Sequence, residues 1–145
     1  MDRSAPDRET RHATAIALDG RALLIAGASG SGKSTLALQL MACGARLVSD
    51  DRTDLHRNGD TVIASAPDAI RGLIEARGIG LLKADPAPPT ALAAVLDLDT
   101  AEPDRLPPLR HVTVLGCPLP LFLRPQGIHV APALLQFLRA GRSER

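Results

Sequence analysis

Eight residues in the N-terminal third of the chain have the types and spacing that suit phosphate binding. Gly27-Ala28-Ser29-Gly30-Ser31-Gly32-Lys33-Ser34 matches G-x-x-x-x-G-K-S/T at every fixed position. The glycines let the backbone turn its N–H groups inward around an anion, and a following helix N-terminus adds partial positive charge. The lysine amine suits the β- and γ-phosphates of a nucleotide, and the serine hydroxyl suits Mg²⁺. The residues predicted to bind the nucleotide are Gly27, Ala28, Ser29, Gly30, Ser31, Gly32, Lys33, Ser34 and Thr35.

A glycine-rich turn that binds nothing is the alternative interpretation of this segment. Lysine is rare in the chain, which has two lysines, Lys33 and Lys83, and fifteen arginines. One of the two therefore stands where phosphate-loop chemistry requires a lysine, which favours the nucleotide-binding interpretation.

Two groups of carboxylates compete for the role of catalytic base or second metal ligand. Asp50 and Asp51 directly follow the segment 46–49, and Asp97 follows the apolar run 92–96, the usual Walker B form. Adjacent carboxylates at a strand end point to opposite sides of the chain, so one could take a hydroxyl proton while the other holds a metal. The alternative is that these carboxylates have no functional role: Asp50 and Asp51 would then begin an Asp-rich loop, and Asp97 would be a solvent-facing residue at a strand end. The residues alone leave this choice open.

A third group is the segment Glu75-Ala76-Arg77-Gly78. In a strand, Glu75 and Arg77 would lie on the same face. A carboxylate and a guanidinium there could bracket Mg²⁺ and phosphate, whereas the alternative is a surface ion pair that contributes little.

The elements that must position these groups are short strands and few helices. A buried strand before the phosphate loop and a helix after it are the context that a nucleotide site needs. Asp19-Gly20 predicts a two-residue hairpin between the first two strands, Gly44 predicts the end of the first helix, and Pro132 predicts the start of the last helix. The predicted strands are 12–18, 22–26, 46–48, 61–64, 73–82, 91–98, 111–115 and 120–123, the first helix is 34–43, and proline-rich loops are predicted at 85–90 and 103–108.

Composition sets limits on the class of protein. The chain has 145 residues, with 45% hydrophobic and 23% charged, which fits one globular domain with one core. The net charge of +1 gives no electrostatic case for nucleic acid or an anionic membrane, and Phe122 and Phe137 are the two aromatics available for stacking on bases. No apolar run approaches the roughly 20 residues of a membrane span. We predict a cytoplasmic protein with a flexible N-terminus at 1–10, one P-loop kinase domain at 11–141 and a tail at 142–145.

Four segments, taken in order, resemble the catalytic domain of HPr kinase/phosphorylase, a family that phosphorylates a serine of the phosphocarrier protein HPr. They are His12, the phosphate loop, Leu47-Val48-Ser49-Asp50-Asp51, and Glu75-Ala76-Arg77-Gly78-Ile79-Gly80. The third is similar to the family's Leu-Val-Ala-Asp-Asp segment and the fourth to its Glu-x-Arg-Gly-x-Gly stretch. The resemblance is strong over residues 12–82 and weak to 123, and the chain looks like the short, single-domain alphaproteobacterial forms.

The resemblance implies an α/β fold with a P-loop kinase core, a mixed sheet and few helices. It implies a serine kinase that uses ATP and Mg²⁺ and phosphorylates HPr or an HPr-like carrier in phosphotransferase-system regulation. It makes Asp50 the general base, puts Ser34, Glu75 and Asp51 around Mg²⁺, and returns Asp97 to its structural interpretation. The catalytic residues that it implies are Asp50, Lys33, Asp51, His12 and Arg77. Because long members assemble as hexamers, it also implies a homo-oligomer.

Two departures from the family pattern and two alternative functions shape the functional expectation. The long forms' N-terminal domain and their C-terminal loop rich in Pro, Arg and Gly have no clear match, so we expect the kinase direction rather than phosphorolysis. A small-molecule kinase with a lid built from Arg52, Arg57 and Arg71 is one alternative, and a non-catalytic nucleotide sensor is another. Since neither phenylalanine is near the phosphate loop in sequence, we expect weak base recognition and comparable binding of ATP and GTP.

Overall fold

A mixed β-sheet carries most of the segments that hold the predicted chemistry. The computed structural model describes residues 6–143. The strands are β1 Arg8–Arg11, β2 Ala13–Leu18, β3 Arg21–Ala26, β4 Arg46–Ser49, β5 Thr53–Asn58, β6 Thr61–Ser65, β7 Leu73–Ala76, β8 Gly80–Lys83, β9 Thr90–Ala101, β10 His111–Val114 and β11 Cys117–Arg124. The helices are α1 Lys33–Ala42 and α2 Val130–Ala140. The α/β architecture with a mixed sheet and few helices is as predicted.

Four strands of this sheet end at the same edge. The sheet order runs β1-β5-β6-β9-β3-β2-β4, with β11 parallel to the second half of β9. Because β2 is antiparallel to both β3 and β4, and β3 is parallel to β9, the strands β3, β4, β9 and β11 all run in one direction. We call the edge where these four strands end the carboxyl edge. Ligands of open α/β sheets bind outside this kind of edge.

Local sequence signals explain the hairpin before the phosphate loop and the bounds of the first helix. The hairpin predicted at Asp19-Gly20 is present, with φ of 54° and 76° in the two turn residues, which favours Asp-Gly there. Strand β3 is buried from Ala22 to Ile25, and α1 begins at Lys33. The helix ends before Gly44, whose φ of 111° is accessible to glycine.

Hydrophobic side chains cover both faces of the sheet. On one face, α1 and α2 pack through Leu36, Leu40, Leu135 and Leu138 against β2, β3 and β9. On the other face, β5, β6, β10 and β11 close a second cluster built from alanine, valine and leucine. The sheet therefore has apolar support on each side, which fixes the loops at the carboxyl edge.

Three sequence predictions differ from the structure. Residues 8–10, predicted to be flexible, belong to β1, which pairs with β5, and residues 1–5 and 144–145 lie outside the described residues. The single irregular strand predicted for 73–82 is a hairpin of β7 and β8, because Gly78 at φ 81° turns the chain back. Helix α2 begins at Val130, so Pro132 lies in its first turn, where a backbone N–H has no intrahelical partner.

Within residues 6–143, no helix is long and apolar enough to cross a membrane.

Candidate active site

The phosphate loop connects the end of β3, at the carboxyl edge, to the N-terminus of α1. Gly32 occupies the N-cap position of α1 in a left-handed conformation with φ of 101°, and it has no side chain with which to cap the helix. Lys33 is buried, and its amine donates to the carbonyl oxygens of Gly27 at 2.7 Å and Ala28 at 3.1 Å. The N-terminus of α1 is thereby open to an anion, with the lysine charge beside it.

Gly27 is required by close packing inside the loop. A Cβ at this position would lie 2.5 Å from Ser31 Oγ and 3.2 Å from Leu98 Cβ. The Ser31 hydroxyl is buried and has no hydrogen-bond partner in the described part of the chain. A side chain at the first glycine of the motif would therefore collide with Ser31 and Leu98. The Ser31 hydroxyl is left as an unsatisfied polar group in the loop.

Asp50 is held by three elements at the end of β4. Its Oδ1 accepts hydrogen bonds from Ser34 Oγ at 2.6 Å and Thr14 Oγ1 at 3.1 Å. Its Oδ2 accepts a hydrogen bond from the Glu75 backbone N–H at 3.1 Å. The residue is 9% exposed. Buried charged groups need hydrogen-bond partners, and these three donors fix the Asp50 carboxylate beside the phosphate-loop serine.

Asp51 lies beside Asp50 but faces the solvent. Its φ of 64° is in the left-handed region that aspartate tolerates better than most residues, and its N–H donates to Thr14 Oγ1 at 3.1 Å. Its Oδ1 lies 4.0 Å from His12 Nδ1, and both side chains are mostly exposed. The two adjacent carboxylates therefore differ in environment, as the sequence prediction of two different roles requires.

The β7–β8 hairpin brings Glu75 and Arg77 to the same place. Both residues line a cavity of about 260 Å³ together with Lys33, Ser34 and the two aspartates. We call this space the catalytic cavity. Its lining is Ser29, Gly30, Gly32, Lys33, Ser34, Thr35, Leu38, Asp50, Asp51, Glu75, Ala76 and Arg77. His12, which pairs with Asp51, lies just before β2 at the same edge.

Asp97 and Asp99 support the phosphate loop from the neighbouring strand β9. Asp99 Oδ1 accepts a hydrogen bond from the Ala28 N–H at 2.9 Å, and Asp97 Oδ1 accepts one from the Asp99 N–H at 2.8 Å. Asp97 therefore has a structural contact, while Asp50 contacts Ser34. This geometry favours Asp50 over Asp97 as the carboxylate next to the phosphate site.

Sequence reasoning missed Thr14 and Asp99. Thr14 is fully buried in β2 and links Asp50 to Asp51 through one hydroxyl. A polar residue inside an otherwise apolar strand was the available signal. Asp99 gave no local signal, because its contact depends on the pairing of β9 with β3 about seventy residues earlier in the chain.

The oxygen donors at the cavity fit a hard divalent cation. Carboxylate and hydroxyl oxygens from Ser34, Asp50, Asp51 and Glu75 line one space, and Mg²⁺ is bound by such oxygens together with substrate phosphates. Within residues 6–143, no group of three or more His, Cys, Asp and Glu residues forms a site that could hold a metal by itself.

Comparison with known proteins decides the family. The profile of the HPr serine kinase C-terminal domain matches residues 4–86, more than half of the chain. The chain belongs to the HPr serine kinase C-terminal domain family. A solved structure, that of the Hpr(Ser) kinase/phosphatase from Coxiella burnetii, is similar to this HPr serine kinase C-terminal domain with a TM-score of 0.76 and 26% identity, over 90% of this chain and 88% of that chain.

Curated relatives of this HPr kinase domain are longer proteins. An HPr kinase/phosphorylase from Limosilactobacillus reuteri is 34% identical over 112 residues, which cover 72% of this chain and 35% of the relative. One from Latilactobacillus sakei is 40% identical over 83 residues, or 57% of this chain and 26% of the relative. One from Acidovorax is 46% identical over 77 residues, or 52% and 24%. The chain spans about a quarter to a third of the length of these relatives. The predicted resemblance to the family is confirmed.

Proposed function

We propose that the protein is a serine kinase that transfers the γ-phosphoryl group of ATP to a serine hydroxyl of HPr or an HPr-like phosphocarrier. The observation that carries the proposal is the hydrogen bond between Ser34 and the buried Asp50 inside a cavity that also holds Lys33 and Glu75. A buried carboxylate held beside the phosphates is suited to take the proton of an acceptor hydroxyl, a role that a module that only binds nucleotide does not need. The names of the matched relatives support the choice of acceptor. Because the proposed reaction uses ATP, we propose that the protein acts in the cytoplasm.

Transfer requires the serine oxygen to bond to the γ-phosphorus while the bond to the β-phosphate bridging oxygen breaks and ADP leaves. In the proposal, Asp50 takes the proton of the serine hydroxyl, and its three hydrogen-bond donors hold it in place before the acceptor arrives. Lys33 and the N–H groups of the phosphate loop neutralise charge on the phosphates. Arg77 faces the same cavity, where its guanidinium suits a phosphate oxygen.

The metal ligands in the proposal are Ser34, Glu75 and Asp51. When bound, Mg²⁺ would neutralise charge on the phosphate oxygens and orient them. In the proposal His12 is a neighbour of the site, because its Nδ1 lies 4.0 Å from Oδ1 of Asp51.

The test is incubation of the full chain with Mg²⁺, ATP and purified HPr, followed by mass mapping of the phosphate. We expect one phosphate on a serine of HPr, with ADP formed in equal amount. Asp50→Asn should lower transfer about 10²- to 10⁴-fold, the range for loss of a general base, while nucleotide binding persists. Lys33→Ala should weaken both phosphoryl transfer and nucleotide binding, because in the proposal the lysine charge contacts the phosphates.

The matched control is Asp97→Asn, whose carboxylate contacts the Asp99 N–H rather than Ser34. This variant should retain transfer. The assignment of the base is wrong if Asp97→Asn loses transfer and Asp50→Asn keeps it. Absence of phosphoserine on HPr, with ATP still bound, would instead support a nucleotide sensor. Incubation of phosphorylated HPr with inorganic phosphate tests the reverse direction, for which we expect no pyrophosphate.

A further inference from the structure

A second cavity opens at the carboxyl edge on the opposite side of the phosphate loop from Asp50. It measures about 390 Å³ and lies between the segment that follows β9 and the segment that follows β11. We call it the proline-lined cavity. Its lining is Glu102, Pro103, Asp104, Arg105, Pro107, Phe122, Leu123, Pro125, Gln126 and His129. None of these residues was assigned to a site from the sequence.

From the positions of the two cavities along the sheet, we infer that the proline-lined cavity holds the purine base of the nucleotide. This inference rests on the proposed function, which places the γ-phosphate beside Asp50. Strand β4, which ends just before Asp50, is separated from β3 by β2, whereas β9 and β11 lie on the other side of β3. With the γ-phosphate turned toward β4, the nucleoside end must extend from the phosphate loop toward β9 and β11.

The register of the strands gives the distance that the nucleotide must span. Ala26, which precedes the phosphate loop, pairs with Asp97, and Asp97 pairs with Leu123 on its other side. Two interstrand steps separate the end of β3 from the end of β11, about 10 Å in all. An extended nucleotide reaches from its β-phosphate to its base over a similar length. The hydrogen bond from Ala28 to Asp99 fixes the loop to the intervening strand.

The chemistry of the lining suits a flat heterocycle. The Phe122 ring and three prolines provide apolar surface, while Gln126 and His129 offer hydrogen-bond donors and acceptors for a polar ring edge. Phe122 is held by an edge-to-face contact with Phe137 at 4.8 Å between ring centroids. The volume lies within the roughly 300–1,000 Å³ range of small-molecule pockets. The catalytic cavity, by contrast, is lined mostly by polar and charged groups.

This inference replaces the sequence-based expectation that the base adds little affinity. Phe122 is far from the phosphate loop in sequence, but the parallel pairing of β11 with β9 brings it to the same edge. Packing against an aromatic ring and prolines does not by itself distinguish adenine from guanine. ATP and GTP can therefore bind comparably even though the base contributes.

The test compares Mg-ATP with magnesium tripolyphosphate, which has the phosphates and no nucleoside, by titration calorimetry on the full chain. We expect ATP to bind about tenfold more tightly than tripolyphosphate. Gln126→Ala and His129→Ala should each weaken ATP binding by roughly three- to fivefold, the loss of one hydrogen bond, and leave tripolyphosphate binding unchanged. The matched controls are Gln136→Ala and His111→Ala, exposed residues of the same types outside the cavity lining. They should change neither affinity.

Photolabelling with 8-azido-ATP provides a measurement that needs no variant. Label on residues 102–107 or 122–129 supports the inference, and label elsewhere overturns it. Equal binding of ATP and tripolyphosphate also overturns it, while Lys33→Ala would still weaken both ligands and leave the proposed function intact. If neither ligand binds, the proposed function fails and this inference fails with it.

Discussion

At the scale of single residues, the pair Asp50-Asp51 shows how neighbouring residues of one type acquire different chemistry. Asp50 is buried and accepts three hydrogen bonds, whereas Asp51 is exposed beside His12. One hydroxyl, that of Thr14, contacts both residues. Thr14 therefore sets the position of the proposed base, Asp50, and of the backbone N–H of Asp51, the proposed metal ligand.

Replacing Thr14 by valine tests this role with little change in volume. Thr14→Val should lower the free energy of unfolding by about 1–3 kcal/mol, because buried Asp50 loses a donor and the Asp51 N–H loses its acceptor. It should lower kcat for transfer more than it raises KM for ATP, since the phosphate loop is untouched. Denaturant unfolding and steady-state kinetics measure the two effects.

Thr14→Ser is the control, because it keeps the hydroxyl. It should retain most of the transfer rate. If Thr14→Val and Thr14→Ser are equally active, the hydroxyl does not position Asp50.

Much of the site could be predicted from local sequence, and its supports could not. The phosphate loop, Asp50-Asp51, Glu75 and Arg77 are short segments whose spacing carries the information. The structure brings them around one cavity, with His12 against Asp51. Thr14 and Asp99 act across strands, so their partners depend on pairings that no local pattern encodes.

At the scale of elements, the proline-rich segment 103–109 is closed at its base by one ion pair. Arg110 donates to both carboxylate oxygens of Glu102, at 3.2 Å and 2.9 Å, and the Glu102 side chain is 8% exposed. The hydrogen bonds from Arg110 lower the pKa of Glu102. A segment rich in proline has few backbone donors for regular structure, so this pair fixes where the segment begins and ends.

The pair should make stability depend on pH in the acid range. A carboxyl group whose pKa is lowered by folding stabilises the folded state above its unfolded pKa, about 4.3 for glutamate, and loses this contribution as pH falls through the folded value. The melting temperature of Glu102→Gln should therefore lie below that of the wild type at pH 7. The difference should shrink steadily below about pH 4.

Melting curves of both proteins between pH 7 and pH 3 provide the measurement. Subtracting the melting temperature of Glu102→Gln from that of the wild type at each pH cancels the contribution of the other carboxylates. A difference that stays constant down to pH 3 would show that the Glu102–Arg110 pair does not couple folding to proton binding.

The secondary structure was predicted less well where glycine allows the chain either to continue as a strand or to reverse in a turn. Gly78 and Gly80 in the segment 73–82 suggested one irregular strand, yet the chain reverses and forms β7 and β8. The reversal matters, because it places the backbone N–H of Glu75 on Asp50. Strand β1 was missed because its charged residues lack the alternating pattern of a half-buried strand, and pairing with β5 decides the outcome.

At the scale of the whole molecule, stability depends on aliphatic packing on both faces of the sheet. Helix α2 closes the core next to α1, and Leu138 is fully buried there. Aromatic rings contribute little, because the chain has two phenylalanines and no tryptophan or tyrosine. Each buried leucine consequently carries a larger share of the stability.

Leu138→Ala should lower the free energy of unfolding by about 2–5 kcal/mol, through lost transfer energy and the cavity left behind. The matched control is Leu109→Ala, at a leucine that is 62% exposed, which should change stability by less than about 0.5 kcal/mol. Denaturant unfolding measures both. Equal effects would mean that α2 does not form part of the core.

The pairing of β3 with β9, which are far apart in sequence, also affects when the site can form during synthesis. Residues 4–86, which match the family profile, contain every residue of the proposed chemistry, but β9 spans Thr90–Ala101. The ribosome therefore makes the proposed catalytic residues before it makes the strand that flanks β3 and anchors the phosphate loop through Asp99. During synthesis the nascent chain holds these groups before β9 can flank β3 and fix the phosphate loop, so nucleotide affinity should arise late, after β9 has left the ribosome.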